Sequence, residues 1–142
     1  MFHPFVPFGP SHLTAIACTL LVPLALSLLA RHERLGRRTD KVARAALAAF
    51  LLLGWLGWWG LSAVRGTLGI DNGLPMNLCD WAEIALLVAL LTRHQFAYEL
   101  GYFWGLGGTL QGVLTPPLYW DFPDPQFLFF FIQHGGVVAS LL

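Results

Sequence analysis

Charged side chains are scarce in this sequence, and their scarcity excludes most classes of soluble protein. Only 11% of the 142 residues are Asp, Glu, Lys or Arg, whereas 56% are hydrophobic and the mean hydropathy is +0.64. An ordinary soluble domain carries about 25% charged residues. The sequence therefore predicts an integral membrane protein, built as a single domain over residues 1–142.

Several further absences narrow the function. Two cysteines, Cys18 and Cys79, cannot form a Cys-only metal site, and the sequence contains no HExxH, CxxC, P-loop or GxSxG pattern. The net charge is zero and no basic stripe is interleaved with aromatic residues, so nucleic acid is not an expected partner. The N-terminus lacks the positive region of a cleavable signal peptide. We expect no metal, no cofactor and a first apolar segment that is retained.

Long apolar runs dominate the rest of the chain. A helix that crosses a bilayer needs about 20 mostly apolar residues. Five segments approach that length, at about residues 13–30, 45–64, 76–92, 98–114 and 127–142. The predicted fold is all-α, a polytopic transmembrane helical bundle of about five spans.

The basic residues predict how this bundle is oriented. Seven of the eight fall in the first and third links between segments, and only Arg65 falls on the other side; the seven are Arg31, Arg34, Arg37, Arg38, Lys41, Arg44 and Arg93. Cytoplasmic loops are enriched in Lys and Arg. The N-terminus is therefore expected outside, and the expected location is a bacterial cytoplasmic (inner) membrane.

Five polar residues are predicted to share one layer of the bundle. With a rise of about 1.5 Å per residue, the third segment carries Cys79, Asp80 and Glu83 into the outer half of the membrane. The fourth and fifth segments bring Gln111 and His134 to a similar depth. Ionisable groups within a membrane are costly and often functional, so this layer is the candidate site.

The chemistry of the layer centres on Cys79 and His134. A cysteine at a helix N-terminus has its thiolate favoured, and a histidine can take its proton. A nucleophile and a base are the minimum that formation of a covalent acyl intermediate requires. Simpler interpretations stay open for each residue: Asp80 as a helix cap, Gln111 as an interhelical contact, His134 as a packing residue, and Cys79 as an apolar filler or the partner of Cys18 in a disulfide.

Three blocks of the sequence resemble a known family. They read LPMNLCDWAEIALLVALLT, YELGYFWGLGGTLQGVLTP and FPDPQFLFFFIQHGGVVAS, and they cover about residues 74–140. These blocks resemble the YwaF-like integral membrane protein family, which is grouped with an animal intramembrane acyltransferase that remodels ether phospholipids. The resemblance implies that Cys79 is the acyl-accepting nucleophile and His134 its base. It also implies further spans after the histidine helix, so this chain is expected to be short at its C-terminus.

The leading functional prediction is lipid acyl transfer by Cys79 and His134, with Asp80, Glu83 and Gln111 in support. Membrane lipids would then be both the environment and the substrate. Two other classes remain. A transporter or channel subunit would use the inward acids as a proton or cation path. A non-catalytic scaffold would use glycines spaced four apart, such as Gly108 and Gly112, for helix–helix self-association. The sequence does not identify protein partners.

Overall fold

A computed structural model describes residues 3–32, 37–70 and 74–142 of the chain. Arg34, which was counted among the basic residues, and positions 71–73 of the second link lie outside these residues. Over the described ranges the chain forms five long helices, and the prediction of an all-helical fold is confirmed. The only β-type pairing described there is an isolated bridge between Pro4 and Trp120.

Four of the five helices begin before the apolar runs that predicted them, and the third begins two residues after the start of its run. Helix α1 covers Pro10–His32, α2 covers Arg37–Val64 and α3 covers Leu78–Thr92. Helix α4 is continuous over 95–114 but consists of three parts: Gln95–Trp104, a π-helical segment Gly105–Thr109, and Leu110–Leu114. Helix α5 covers Pro125–Leu141. An apolar run ends where charged residues begin, whereas the backbone hydrogen bonds of a helix continue through them. The predicted start of the second segment at residue 45 therefore lies eight residues inside α2.

Local capping signals explain where two of the helices begin. The carboxylate of Asp80 accepts hydrogen bonds from the backbone N–H and the side-chain amide of Asn77, both at 3.0 Å, which anchors the first turn of α3. At α5, the Asp124 side chain accepts a 2.8 Å bond from the N–H of Gln126, and Pro125 occupies the first helical position. Proline is well suited to that position because its fixed φ matches the helix and no N–H is needed.

Contacts at the two ends of the bundle show that successive helices run in opposite directions. At one end, Arg44 of α2 donates to the Leu90 carbonyl of α3 at 2.6 Å, and the Tyr98 hydroxyl of α4 donates to the Leu141 carbonyl of α5 at 3.0 Å. Arg93 and Asp40 also form an ion pair there. At the other end, the start of α1 contacts the end of α4, and Arg65 after α2 contacts the start of α5.

Helix α5 is the element on which the others pack, because it contacts α1, α2, α3 and α4. Toward the Arg44 end its Val137 and Leu141 join a core with residues of α2 and α3, namely Ala48, Leu51, Leu86, Leu87 and Leu90. Toward the other end Phe127, Phe130 and Phe131 pack around Val113 of α4. The candidate site lies between these two clusters.

The outer surfaces of α1 and α2 are strongly apolar. Leu21 and Leu29 on α1 are each 61% exposed, and Leu53 on α2 is 68% exposed. Two stretches, Pro10–Arg31 and Thr39–Val64, are long and apolar enough to cross a membrane by length and composition. The total of five spans stays a prediction.

Candidate functional site

One large cavity collects all five of the polar residues singled out in the sequence. It has a volume of about 1150 Å³ and is lined by residues of α2, α3, α4, α5 and the loop before α5, with Cys79, Asp80, Glu83, Gln111 and His134 among them. Pockets for small molecules usually measure about 300–1,000 Å³. The cavity is therefore larger than a typical small-molecule pocket and has room for part of a lipid.

The orientation of the His134 imidazole is fixed by its own helix. Its Nδ1 lies 2.8 Å from the carbonyl oxygen of Phe130, one turn earlier on α5. Because a carbonyl only accepts, Nδ1 must carry the hydrogen, and in the neutral ring Nε2 keeps its lone pair. The Phe130 ring stacks on the imidazole with centroids 4.0 Å apart and planes 24° apart. His134 is therefore held as a proton acceptor at Nε2.

The acceptor nitrogen of His134 has no partner within the described part of the protein. Nε2 is buried and has no hydrogen bond, and His134 as a whole is only 7% exposed. A buried polar atom without a partner costs free energy, so each such atom needs an explanation. A ligand or a reacting group in the cavity is one explanation.

A glycine face of α4 brings the cysteine and the histidine to the same strip of the cavity. A Cβ atom at Gly108 would lie 3.0 Å from the backbone nitrogen of Cys79, and a Cβ atom at Gly112 would lie 3.0 Å from Nε2 of His134. Positions four apart on a helix share a face, with about 5–6 Å between their Cβ atoms. The backbone of Cys79 and the imidazole of His134 therefore contact one strip of α4, about one helical turn apart.

The strip begins within the π-helical segment Gly105–Thr109. A π turn carries one additional residue and occurs frequently at functional sites. Its Thr109 is fully buried, and the hydroxyl has no hydrogen-bond partner in the described protein. From the sequence, Gly108 and Gly112 were interpreted only as packing positions; in the bundle they also lie against the Cys79 backbone and the His134 imidazole.

Asp80 and Gln111 are engaged with neighbours on their own helices. The Asp80 carboxylate bonds to Asn77 at the start of α3, as in the interpretation of Asp80 as a helix cap. The Gln111 amide nitrogen donates to the Thr115 hydroxyl at 2.8 Å. Neither Asp80 nor Glu83 orients the His134 imidazole in this structure, because the Phe130 carbonyl occupies Nδ1.

Glu83 is buried at the inner side of the cavity and is 2% exposed. Its Oε2 accepts a 2.6 Å hydrogen bond from the side-chain amide of Gln133, which precedes His134 on α5. Its Oε1 has no partner within the described residues. Gln133 was not predicted as a site residue, although a polar residue next to a histidine in a Phe-rich run was a readable signal.

An ion pair closes the outer rim of the cavity. Arg65 donates two hydrogen bonds to the Asp124 carboxylate, at 2.9 and 3.3 Å, and both residues line the cavity. Burial on its own raises the pKa of Asp124, but the hydrogen bonds from Arg65 and Gln126 and the charge of Arg65 outweigh it and hold the pKa below its usual range. This pair joins α2 to α5 and was missed, since nothing in the sequence links two positions 59 residues apart.

The loop before α5 forms the remaining part of the rim. It carries three prolines, with a fourth at the first position of α5, and its residues Leu118, Tyr119 and Trp120 line the cavity. The N-terminal segment pairs with it, because the Phe5 N–H donates to the Tyr119 carbonyl at 3.0 Å and the Asp121 N–H to the His3 carbonyl at 2.9 Å. Two backbone hydrogen bonds to the N-terminal segment therefore hold this loop in place at the cavity.

The two thiols are free and lie at different places. Cys79 lines the polar cavity, whereas Cys18 is exposed in a separate apolar groove between α1, α2 and α5. The alternative of a Cys18–Cys79 disulfide is therefore not realised in this structure. Across 3–32, 37–70 and 74–142, no three His, Cys, Asp or Glu side chains converge where a metal ion could bind.

Comparison with known proteins identifies the family. The model of the TMEM164 family matches residues 7–142, nearly the whole chain, so the chain belongs to that family and is a membrane protein. No curated protein and no solved structure matches the chain. The assignment to the YwaF-like family is wrong: its three blocks covered only about residues 74–140, whereas the TMEM164 match also includes α1 and α2. Any role for Cys79 and His134 is therefore argued from the geometry of the cavity and not from that resemblance.

Proposed function

We propose that this member of the TMEM164 family is an intramembrane acyltransferase in which Cys79 is the nucleophile and His134 the general base. The observation that carries the proposal is the unpartnered Nε2 of His134, buried in the cavity that Cys79 also lines. A nucleophile and a general base that act at one site are the basic requirement for covalent acyl transfer.

The proposed reaction has two halves. First, the Cys79 thiol gives its proton to Nε2 of His134 and the sulfur attacks the carbonyl carbon of a phospholipid ester. The ester C–O bond breaks, the leaving oxygen takes the proton from the imidazolium, and a thioester remains. Next, an acceptor hydroxyl or amine gives its proton to Nε2 and attacks the thioester carbonyl. The C–S bond breaks, and the proton returns to the sulfur.

We propose that the Gln111 side chain stabilises the developing oxyanion by donating a hydrogen bond to it. Its amide nitrogen carries two hydrogens, one of which is used by Thr115. The second is available to a carbonyl oxygen in the cavity, which Gln111 lines. A donor aimed at an oxyanion typically contributes about a hundredfold or more to the rate.

We also propose that all five helices cross the membrane, with the N-terminus outside. The support is their alternating direction and the segregation of charge: Arg31, Arg44 and Arg93 contact groups at one end of the bundle, and Arg65 contacts a group at the other. The end that carries Arg44 would face the cytoplasm. Cys79 and His134 would then lie in the outer half, where a lipid of the outer leaflet can enter sideways.

Labelling with a thiol-reactive fatty-acyl probe tests the proposal. The protein is placed in phospholipid vesicles at neutral pH, and the labelling rate of each cysteine is measured by mass spectrometry. We expect Cys79 to be labelled at least about tenfold faster than Cys18, and the H134A variant to lose that advantage. The C18A variant is the matched control and should label at the wild-type rate.

Variants at Cys79, Glu83 and His134 separate the other classes of function. A transporter or channel would keep its function in C79S and lose it in E83Q. A scaffold would tolerate both C79S and H134A, because assembly needs neither a nucleophile nor a base. Equal labelling of Cys79 and Cys18, or full labelling of Cys79 in H134A, would overturn the acyltransferase proposal.

A further inference from the structure

The cavity contains a second buried polar atom that the reaction above does not use. Oε1 of Glu83 is without a hydrogen-bond partner in the described chain, on a side chain that is 98% shielded from solvent. Glu83 lies one turn beyond Cys79 on α3 and therefore one turn deeper in the cavity, with about 5–6 Å between their Cβ atoms. An unused polar atom at this depth lies within reach of a substrate that reacts at Cys79.

Gln133 determines what Glu83 offers to the cavity. The amide nitrogen of Gln133 is only a donor, so it occupies one carboxylate oxygen and, in the ionised form of Glu83, leaves the other as an acceptor. Burial of an acceptor without a donor costs free energy that a ligand can recover. The favoured ligand group at this position is therefore an O–H or N–H.

The substrates of the two half-reactions differ in the hydrogen-bonding groups that they offer to Glu83. The ester that acylates Cys79 has only acceptor oxygens at its reacting centre, and a carboxylate oxygen would repel them. The acyl acceptor must carry an O–H or N–H, but its reacting hydrogen goes to Nε2 of His134. Only an acceptor with a second donor group can satisfy Glu83 at the same time.

We infer that Glu83, held by Gln133, binds a second O–H or N–H of the acyl acceptor, which is therefore a polyol or an amino alcohol. This inference rests on the proposed function of Cys79 and His134. It makes Glu83 a specificity residue for the second half of the reaction and leaves the acylation of Cys79 independent of it.

The test compares three acceptors of equal chain length: a long-chain vicinal diol, the matching vicinal amino alcohol and the matching monoalcohol. Full-length protein in phospholipid vesicles is supplied with a labelled phospholipid ester. We expect wild-type kcat/KM for the diol or the amino alcohol to exceed that for the monoalcohol by at least about tenfold, as for one hydrogen bond to a charged group. Whichever of the two is preferred identifies the second donor as hydroxyl or ammonium.

E83Q should abolish this preference and leave the rate of Cys79 acylation within about twofold of wild type. Its amide must spend the carbonyl oxygen on Gln133, so an NH2 group faces the cavity instead of an acceptor. In the double variant E83Q/Q133E the new amide can donate to the new carboxylate, and its carbonyl again faces the cavity. We expect the double variant to recover part of the preference for the diol.

S140A is the matched control on α5, because the Ser140 hydroxyl is buried and bonds only the Gly136 carbonyl among the contacts described. It should leave the preference unchanged. A wild-type protein that acylates Cys79 but treats the diol, the amino alcohol and the monoalcohol alike would overturn the inference, as would equal loss of both half-reactions in E83Q. Absence of Cys79 acylation in the wild type would instead overturn the proposed function.

Discussion

A methyl group at position 112 would lie 3.0 Å from Nε2 of His134. Only glycine therefore leaves the lone pair of the imidazole open to the cavity. We predict that G112A lowers acyl transfer on the order of 10–100-fold, because the ring must turn away from its bond to the Phe130 carbonyl. The measurement is the rate of transfer from a labelled phospholipid ester.

The control for that variant is on the same helix. A Cβ atom at Gly107 would meet only Leu78, at an ordinary contact distance of 3.7 Å. G107A should keep wild-type activity and be neutral or more stable by up to about 1 kcal/mol, since alanine favours the helix over glycine. Wild-type activity in G112A would show that Nε2 does not need this opening.

His12 should be one of the residues on which the stability of the bundle depends most. It is fully buried, its Nδ1 accepts the Phe8 N–H at 2.8 Å, and its Nε2 lies 2.8 Å from the Val113 carbonyl of α4. H12A removes both bonds and leaves a cavity, so we predict a loss of about 2–4 kcal/mol in unfolding free energy. Thermal unfolding in vesicles measures it.

The matched control for H12A is H94A. His94 is an exposed N-cap that accepts a long 3.4 Å bond from Ala97. Its loss should cost only about 0.5–1 kcal/mol. Similar destabilisation by the two substitutions would contradict the structural role of His12.

The Arg65–Asp124 pair should make stability depend on pH. The folded-state pKa of Asp124 is below its usual range, so the folded protein binds fewer protons than the unfolded chain. The stabilisation is present above the unfolded pKa of about 4 and is lost as pH falls through the lower folded value. D124N keeps a good N-cap residue but removes the charge, and we predict a loss of about 1–3 kcal/mol at neutral pH.

The check is a series of unfolding curves for wild type and D124N from neutral to acid pH. The difference between the two proteins should be largest near neutrality and should shrink below about pH 4. A difference that stays constant over this range would mean that the charge of Asp124 contributes nothing through Arg65.

Hydropathy and helical rise predicted much of this arrangement, and long-range contacts supplied the rest. Apolar runs located the helices, and depth along them predicted that Cys79, Glu83 and His134 would share a layer; all three line one cavity. The Asn77-x-x-Asp80 spacing was also a readable capping signal.

Other features depend on contacts that no local pattern encodes. The Val113 carbonyl that binds His12 is 101 residues away in sequence. The Phe130 carbonyl is a backbone group that helices normally use internally, so its role at Nδ1 of His134 could not be read from side chains. Gly108 and Gly112 looked equivalent in the sequence, and only the packed bundle shows that Gly112 lies against Nε2 of His134.

The central claim, that Cys79 carries an acyl group during turnover, is tested most directly by the mass of the protein itself. Wild type, C79A, C18A and H134A are each incubated in vesicles of a phospholipid with an isotopically labelled acyl chain, and the adduct is mapped. We predict a hydroxylamine-sensitive acyl adduct on Cys79 in wild type and C18A, none in C79A, and a strongly reduced amount in H134A. A wild-type protein that turns over the lipid with Cys79 unmodified, or that carries equal adducts on Cys18 and Cys79, would contradict the account.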